Sequence, residues 1–111
     1  MTREQRLAEN EVLFRRVNER IRELEQGWDL KEIDFMCECA DVACTQVLTM
    51  TVAEYEQLRS EPTHFAVLPG HQIEEIERVV ETHPAYLVVE KHVETQEQAR
   101  EADPRYFGGG V

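Results

Sequence analysis

The sequence predicts an α+β fold in which a long N-terminal helix precedes a small domain of short strands and one or two short helices. Residues 2–26 carry apolar side chains at three- and four-residue spacing, the periodicity of an amphipathic helix. Short apolar and β-branched runs typical of strands follow at 33–36, 45–50, 65–68 and 86–89. All three cysteines lie between Cys37 and Cys44, so this segment is expected to organise the second part of the chain.

Length and composition limit the class of protein. A chain of 111 residues with 41% hydrophobic content forms one domain with a modest core. No run approaches the roughly 20 apolar residues that span a bilayer. The first residues enter a charged helical pattern without the apolar segment of a signal peptide. We therefore expect a cytoplasmic protein with no membrane contact.

The net charge of −11 is distributed unevenly. Residues 1–32 carry seven Lys and Arg against eight Asp and Glu, whereas residues 33–111 carry five against fifteen. An acidic surface repels phosphate backbones, so direct binding of nucleic acid is not expected. The acidity either attracts a basic protein partner or serves solubility alone.

The N-terminal helix has a heptad seam. Thr2 and Gln5 form a predicted capping box, and Gly27 is placed to end the helix. The charged residues, including the pair Glu11 and Arg15, are expected on the solvent face. The seam either packs on the rest of the domain or contacts a second copy or a protein partner. Its candidate partner-binding residues are Phe14, Val17, Ile21, Leu24 and Trp28, with Leu7 and Asn10 continuing the spacing.

Local signals place the later elements. Thr51 and Glu54 predict a capping box for a short helix that ends before Pro62. Pro69-Gly70 predicts a tight turn. Residues 73–81 fit either a helix or the first arm of a hairpin, and we favour a helix or extended turn.

The chain is thus divided into three parts. Residues 1–28 form the amphipathic helix, residues 29–92 form the small α+β domain, and residues 93–111 form a tail. The tail loses apolar periodicity, which predicts disorder.

The cysteines have the spacing C-x-C-x4-C. In a strand, Cys37 and Cys39 point to the same face, and Cys44 can return after a turn at Asp41. An odd number of cysteines in a cytoplasmic chain disfavours a disulfide framework. Thiolates are favoured ligands of zinc, so the pattern predicts a metal-stapled domain with one Zn²⁺ per chain.

A structural zinc site requires a fourth ligand. The candidates are a nearby carboxylate or one of four histidines. His71 is favoured because it directly follows the Pro69-Gly70 turn, where the backbone can turn sharply and direct a side chain towards the cysteines. The predicted metal ligands are Cys37, Cys39, Cys44 and His71, and the other histidines are His64, His83 and His92.

Other interpretations of the cysteines remain open. Three buried thiols can act as small hydrophobic groups. A regulatory thiol pair is disfavoured because Glu38 and Asp41 would raise the thiol pKa values. Three cysteines and one histidine also hold a [2Fe–2S] cluster in proteins of the mitoNEET type, but the compact downstream C-D-G-S-H block of that type is missing here.

Segments between residues 10 and 91 resemble a group of small uncharacterised actinobacterial proteins. The similar segments are Phe35–Thr45, Leu48–Tyr55, Phe65–His71 and Phe14–Ile21, with further likeness around 77–80 and 88–91. The group has the pattern F-x-C-E-C-G-D-x-x-C-T, then L-T-x-x-E-Y and P-G-H. The resemblance implies that the cysteines pair with His71 and implies no activity. Ala40 replaces the expected glycine, which affects the turn and not the ligation.

The function expected from these features is non-enzymatic. With three thiolates and His71 the metal has no open position, and no nucleophile–base set or phosphate-binding loop is present. We expect a zinc-stabilised module for protein interaction or regulation, contacting a partner or a second copy through the N-terminal helix. One alternative is a redox or metal sensor that uses the cysteines. A second, less favoured alternative is an iron–sulfur electron-transfer protein.

Overall fold

The computed structural model describes residues 3–25, 31–41, 43–101, 103 and 105. It confirms the α+β fold with a long N-terminal helix. The elements are α1 (Arg3–Leu24), β1 (Glu32–Met36), β2 (Val47–Thr51), α2 (Val52–Arg59), β3 (His64–Val67), β4 (Glu77–Thr82), β5 (Leu87–Lys91) and α3 (Val93–Glu101).

The described strands form two antiparallel sheets. In the first sheet β1 pairs with β2, and Phe35 lies opposite Leu48. In the second sheet β5 lies between β3 and β4, so that Val89 is opposite Phe65 on one side and Val79 on the other. A bulge interrupts the β4–β5 pairing between Val79 and Glu81.

One hydrophobic cluster joins both sheets and the helices. The ring of Phe35 from β1 stacks on Tyr55 from α2, with centroids 4.4 Å apart. Phe65 from β3 is fully buried in the same cluster. The three cysteines belong to this cluster too, so the predicted metal ligands lie at the edge of the main core.

The predicted capping box of α2 is present. The Glu54 N–H donates to Thr51 Oγ1 at 3.0 Å, and the Thr51 N–H donates to Glu54 Oε1 at 2.8 Å. The predicted cap at Thr2 and the predicted stop at Gly27 lie outside the described residues.

The preference for a helix over 73–81 is wrong for residues 77–81, which belong to β4. Ile73 and Ile76 do lie in a hydrogen-bonded turn, because the Ile76 N–H donates to the Ile73 carbonyl at 3.1 Å. Beyond that turn, residues 77–82 form backbone hydrogen bonds with the edge of β5 that β3 leaves open. This strand pairing outweighs the weak helical periodicity of the apolar residues. The hairpin interpretation is therefore correct, and His83 lies in its turn, where its N–H donates to the Tyr86 carbonyl.

The prediction of a disordered tail is wrong for residues 93–101, which form α3. This helix packs against α1, and its Ala99 is 1% exposed. Further along, Asp103 accepts hydrogen bonds from the buried guanidinium of Arg59. Residues 93–103 are therefore held in place by a small buried side chain and by an ion pair. A search for apolar periodicity in the sequence does not detect either contact.

The buried face of α1 differs from the predicted seam. Val17 and Leu24 are 42% and 66% exposed, whereas charged residues of the predicted solvent face are buried. The buried polar residues of α1 are Glu11, Arg15, Asn18 and Glu19. Each of them meets a polar or charged partner from another element, and these partners cannot be read from the helical periodicity. None of the described helices combines the length and the apolar character needed to cross a membrane.

Thr51→Ala should lower the free energy of unfolding by about 1 kcal/mol, because it removes the acceptor for the Glu54 N–H at the start of α2. Urea denaturation measures this difference. Thr45→Ala, at an exposed position outside any helix or strand, is the control and should leave stability unchanged. Equal effects of the two substitutions would contradict the capping role.

Glu19→Gln should weaken the acid sensitivity of the fold. Burial alone would raise the pKa of Glu19, but hydrogen bonds from Arg105, Tyr55 and Arg59 lower it to about 2. A carboxyl whose pKa is lowered by folding stabilises the fold above its unfolded-state pKa, about 4.3. That contribution is lost as the pH falls from about 4.3 towards about 2.

Denaturation at a series of pH values tests this expectation. The free energy of unfolding of the wild type should fall more steeply below about pH 4.3 than that of Glu19→Gln. Glu23→Gln, at an exposed position of the same helix, should retain the wild-type slope. A Glu19→Gln slope parallel to the wild-type slope would show that this carboxylate does not drive acid unfolding.

Candidate metal centre

The fold brings the four predicted ligands together. The Sγ atoms of Cys37, Cys39 and Cys44 and a ring nitrogen of His71 all lie within 4.8 Å of one another. His71 Nδ1 is 3.6 Å from Cys37 Sγ and 3.8 Å from Cys44 Sγ. The cysteines are buried, free of disulfide bonds, and His71 is half-buried beside them. These four residues could hold a metal ion.

Two of the distances between potential ligand atoms are close to those expected in a tetrahedral site. With Zn–S bonds of about 2.3 Å and Zn–N bonds of about 2.0 Å, the sulfur–nitrogen edge of a tetrahedron is about 3.5 Å. The two observed distances, 3.6 and 3.8 Å, are close to that edge and slightly longer. Three thiols and one imidazole are also the donor set of Cys₃His structural zinc sites.

The connection between β1 and β2, here called the cysteine loop (residues 37–46), presents the three thiols. Cys37 directly follows β1, and its N–H donates to the Gln46 carbonyl at 3.1 Å, which extends the β1–β2 ladder. The chain then turns at Asp41, whose side chain accepts from the Ala43 N–H and whose carbonyl accepts from the Cys44 N–H, both at 2.9 Å. The turn returns Cys44 towards Cys37, as the spacing predicts.

The segment after β3 presents the imidazole. Gly70 adopts φ of +91°, a left-handed conformation that favours glycine, and the His71 N–H donates to the Leu68 carbonyl at 2.9 Å. The Leu68 N–H donates to Cys37 Sγ at 3.2 Å. The Pro69-Gly70 turn therefore positions His71, while the residue before the turn supports a ligand sulfur.

Hydrogen bonding and burial shift the pKa values of the three thiols in different directions. A hydrogen bond from the Cys39 thiol, with further help from the Leu68 N–H, lowers the pKa of Cys37 against the effect of burial. The same Cys37–Cys39 bond, together with burial, raises the pKa of Cys39, and burial raises the pKa of Cys44. Without a metal, the cluster thus lowers the pKa of one thiol and raises the pKa values of the other two. A bound cation stabilises all three thiolates, because its charge offsets their repulsion.

Glu38 lies between two ligands but turns away from them. It is fully buried and accepts hydrogen bonds from Asn18 Nδ2 at 3.0 Å and the Ala66 N–H at 2.9 Å. The Arg15 guanidinium binds both of its oxygens at 3.3 and 3.4 Å. In the sequence, Glu38 stands out only as an acid near the thiols. Its alternation with the two cysteines in an extended chain is the signal that places it on the opposite face.

The other three histidines take part in other contacts. His64 Nε2 lies 3.0 Å from Glu90 Oε2, and His83 Nε2 lies 2.9 Å from Glu81 Oε1. The backbone N–H of His92 donates to the Ile76 carbonyl at 2.9 Å. Among the residues that the structure describes, the Cys37–His71 group is the one set of three or more potential ligands close enough to share an ion.

The predicted partner-binding residues of α1 do not share one surface. Phe14 is 8% exposed and so is not free for a partner, whereas Ile21 is half-buried against the core and keeps part of its surface exposed. Val17 and Leu24 are exposed. Trp28 lies outside the described residues. Phe14, and Ile21 in part, therefore follow the alternative in which the seam packs on the rest of the domain.

Comparisons of this chain with protein-family models, with curated proteins and with solved structures find no match. A function for this chain is therefore inferred from the arrangement of its own residues.

His71→Ala should weaken zinc binding by more than tenfold, because it removes one of four donors and opens the centre to water. Competition against a chromophoric zinc chelator measures the change. His83→Ala, which alters a histidine of the β4–β5 turn far along the chain from the cysteines, is the matched control and should bind zinc as the wild type does. Equal losses in the two variants would contradict the assignment of His71.

Proposed function

We propose that this protein is a zinc protein in which a closed Cys₃His centre has a structural role. The observation that carries the proposal is the convergence of Cys37, Cys39, Cys44 and His71, with S···N distances of 3.6 and 3.8 Å. An ion there joins the cysteine loop to the segment after β3. Such a link ties the first sheet to the second at one point.

A single zinc ion fits this donor arrangement better than an iron–sulfur cluster. All four ligand atoms lie within 4.8 Å of one another. The ligands of a [2Fe–2S] cluster are divided between two iron atoms and need a wider arrangement. The group therefore favours one mononuclear ion, and zinc is the common choice for three thiolates and one imidazole.

The closed donor set supports a role other than catalysis. A catalytic zinc keeps a position for water or substrate, whereas a tetrahedral ion bound by all four of these protein donors would have no open position. We propose an interaction or regulatory module of the cytoplasm. The net charge of −11 favours a basic protein partner and disfavours nucleic acid. The exposed side chains Leu13, Val17 and Leu24 offer an apolar contact on α1 for such a partner or for a second copy.

Elemental mass spectrometry of the tag-free protein, with a visible spectrum of the same sample, tests the metal assignment. We expect one zinc per chain and no visible absorption. Iron with visible absorption would replace this proposal with an iron–sulfur protein. A preparation without metal that takes up no zinc on titration would contradict it outright.

Cys44→Ser should lose zinc and melt at a lower temperature than the wild type. Zinc binding contributes directly to folding in small sites, because the assembled ligand set exists only in the folded chain. Calorimetry with and without zinc measures the difference. Ala43→Ser, at the exposed neighbouring position, is the control and should keep both the zinc and the melting temperature. A Cys44→Ser protein with wild-type thermal stability would contradict the structural role.

A further inference from the structure

Three side chains of α1 bind the cysteine loop and the end of β1. Asn18 pairs with both backbone groups of Met36, donating from Nδ2 to the carbonyl at 2.9 Å and accepting the N–H at 2.6 Å. Asn10 Nδ2 donates to the Ala40 carbonyl at 2.8 Å, inside the loop. Arg15 binds the Glu38 carboxylate between Cys37 and Cys39.

Arg15 depends on these partners because it is buried. Its side chain is 1% exposed, and burial lowers its pKa. Besides Glu38, its guanidinium donates to the carbonyls of Pro62, at 3.0 Å, and His64, and it covers the Phe65 ring at 3.8 Å. A buried guanidinium that lost Glu38 would be left without its counter-charge, which is strongly unfavourable. α1 can therefore occupy this position stably only while the cysteine loop presents Glu38.

The metal ligands alternate with the residues that α1 binds. Glu38 lies between Cys37 and Cys39, and Ala40 directly follows Cys39. Fixing the two sulfurs on one ion fixes the intervening backbone, since successive residues of an extended chain point to opposite sides. The ion holds one side of the loop, and α1 binds the other side.

We propose that metal binding and the docking of residues 3–18 of α1 are thermodynamically coupled, so that the zinc ion controls the position of this helix. The inference rests on the zinc site of the proposed function and adds a regulated element to it. If bound metal raises the equilibrium constant for docking of α1 by a certain factor, docking of α1 must raise the metal affinity by the same factor. Asn10 and Arg15 are thus positioning residues for a metal that they do not touch.

The remaining anchors of α1 allow its first part to move separately. Glu19 is bound by Tyr55 Oη at 2.6 Å and by Arg59 Nη2 at 3.2 Å, and both of these residues belong to α2 rather than to the cysteine loop. Glu11 pairs with Lys91, but Lys91 keeps Glu77 at 3.1 Å when Glu11 leaves. Undocking of residues 3–18 therefore leaves Lys91 paired with Glu77 and leaves Glu19 to attach the end of the helix. The main cost of undocking is the separation of Arg15 from Glu38, the pair that belongs to the cysteine loop.

Hydrogen exchange of the full chain, metal-free and with one equivalent of zinc, tests the coupling. Zinc should slow exchange of the amides in residues 3–18 at least tenfold more than exchange in the central strand β5. Equal slowing in α1 and β5 would show that zinc stabilises the whole fold without selecting the helix. Unchanged exchange in α1 with zinc bound would show no coupling. Either result would overturn the inference while the zinc site itself stands.

A substitution away from the ligands tests the reverse direction. Asn10→Ala should lower zinc affinity about tenfold, the usual effect of losing an outer partner of a metal site. Arg16→Ala, at an exposed position of the same helix, should bind zinc as the wild type does. Wild-type affinity in Asn10→Ala would overturn the coupling. A wild-type chain that binds no zinc would instead overturn the proposed function, and the coupling with it.

Discussion

The buried ion pair of Arg15 and Glu38 connects the parts of this structure. Glu38 belongs to the cysteine loop, and its carboxylate also accepts the N–H of Ala66 in β3. Arg15 belongs to α1 and covers the ring of Phe65. Burying these two charges costs solvation free energy, which is recovered only when each hydrogen-bonding group finds its partner. In the docked arrangement, this pair therefore holds the long helix, the loop and the second sheet in mutually dependent positions.

Two further groups of buried charged residues include side chains of α1. In the first, Lys91 pairs with Glu11 of α1 and with Glu77 of β4, and in the second, Arg59 binds Glu19 of α1. Burial raises the pKa of Glu77 and lowers that of Lys91, so this group is held together against a high solvation cost. A rotation of α1 that buried its apolar seam would leave these charges unpaired. Paired charges therefore select the face of α1 that packs inwards.

The proposed ion complements this arrangement at the edge of the core. The small apolar cluster includes the cysteines themselves, and the hydrogen bond from the Leu68 N–H to Cys37 Sγ joins the loop to the segment that carries His71. A chain of this length has a limited core, and a metal centre adds a cross-link that hydrophobic burial does not provide. The position of the centre between the two sheets explains why its ligands come from two separate segments.

Local chemistry determined much of this protein from sequence alone. The capping box at Thr51, the turn at Pro69-Gly70 and the three clustered cysteines each depend on residue types at short, fixed spacing. His71 is selected by the turn that precedes it, and the fold brings it to the cysteines across 27 residues. Tertiary structure decided the strand at 77–82, the helix at 93–101 and the inward face of α1. In each of these cases a distant partner, either a free strand edge or a buried opposite charge, outweighs the local periodicity, and no local pattern encodes that partner.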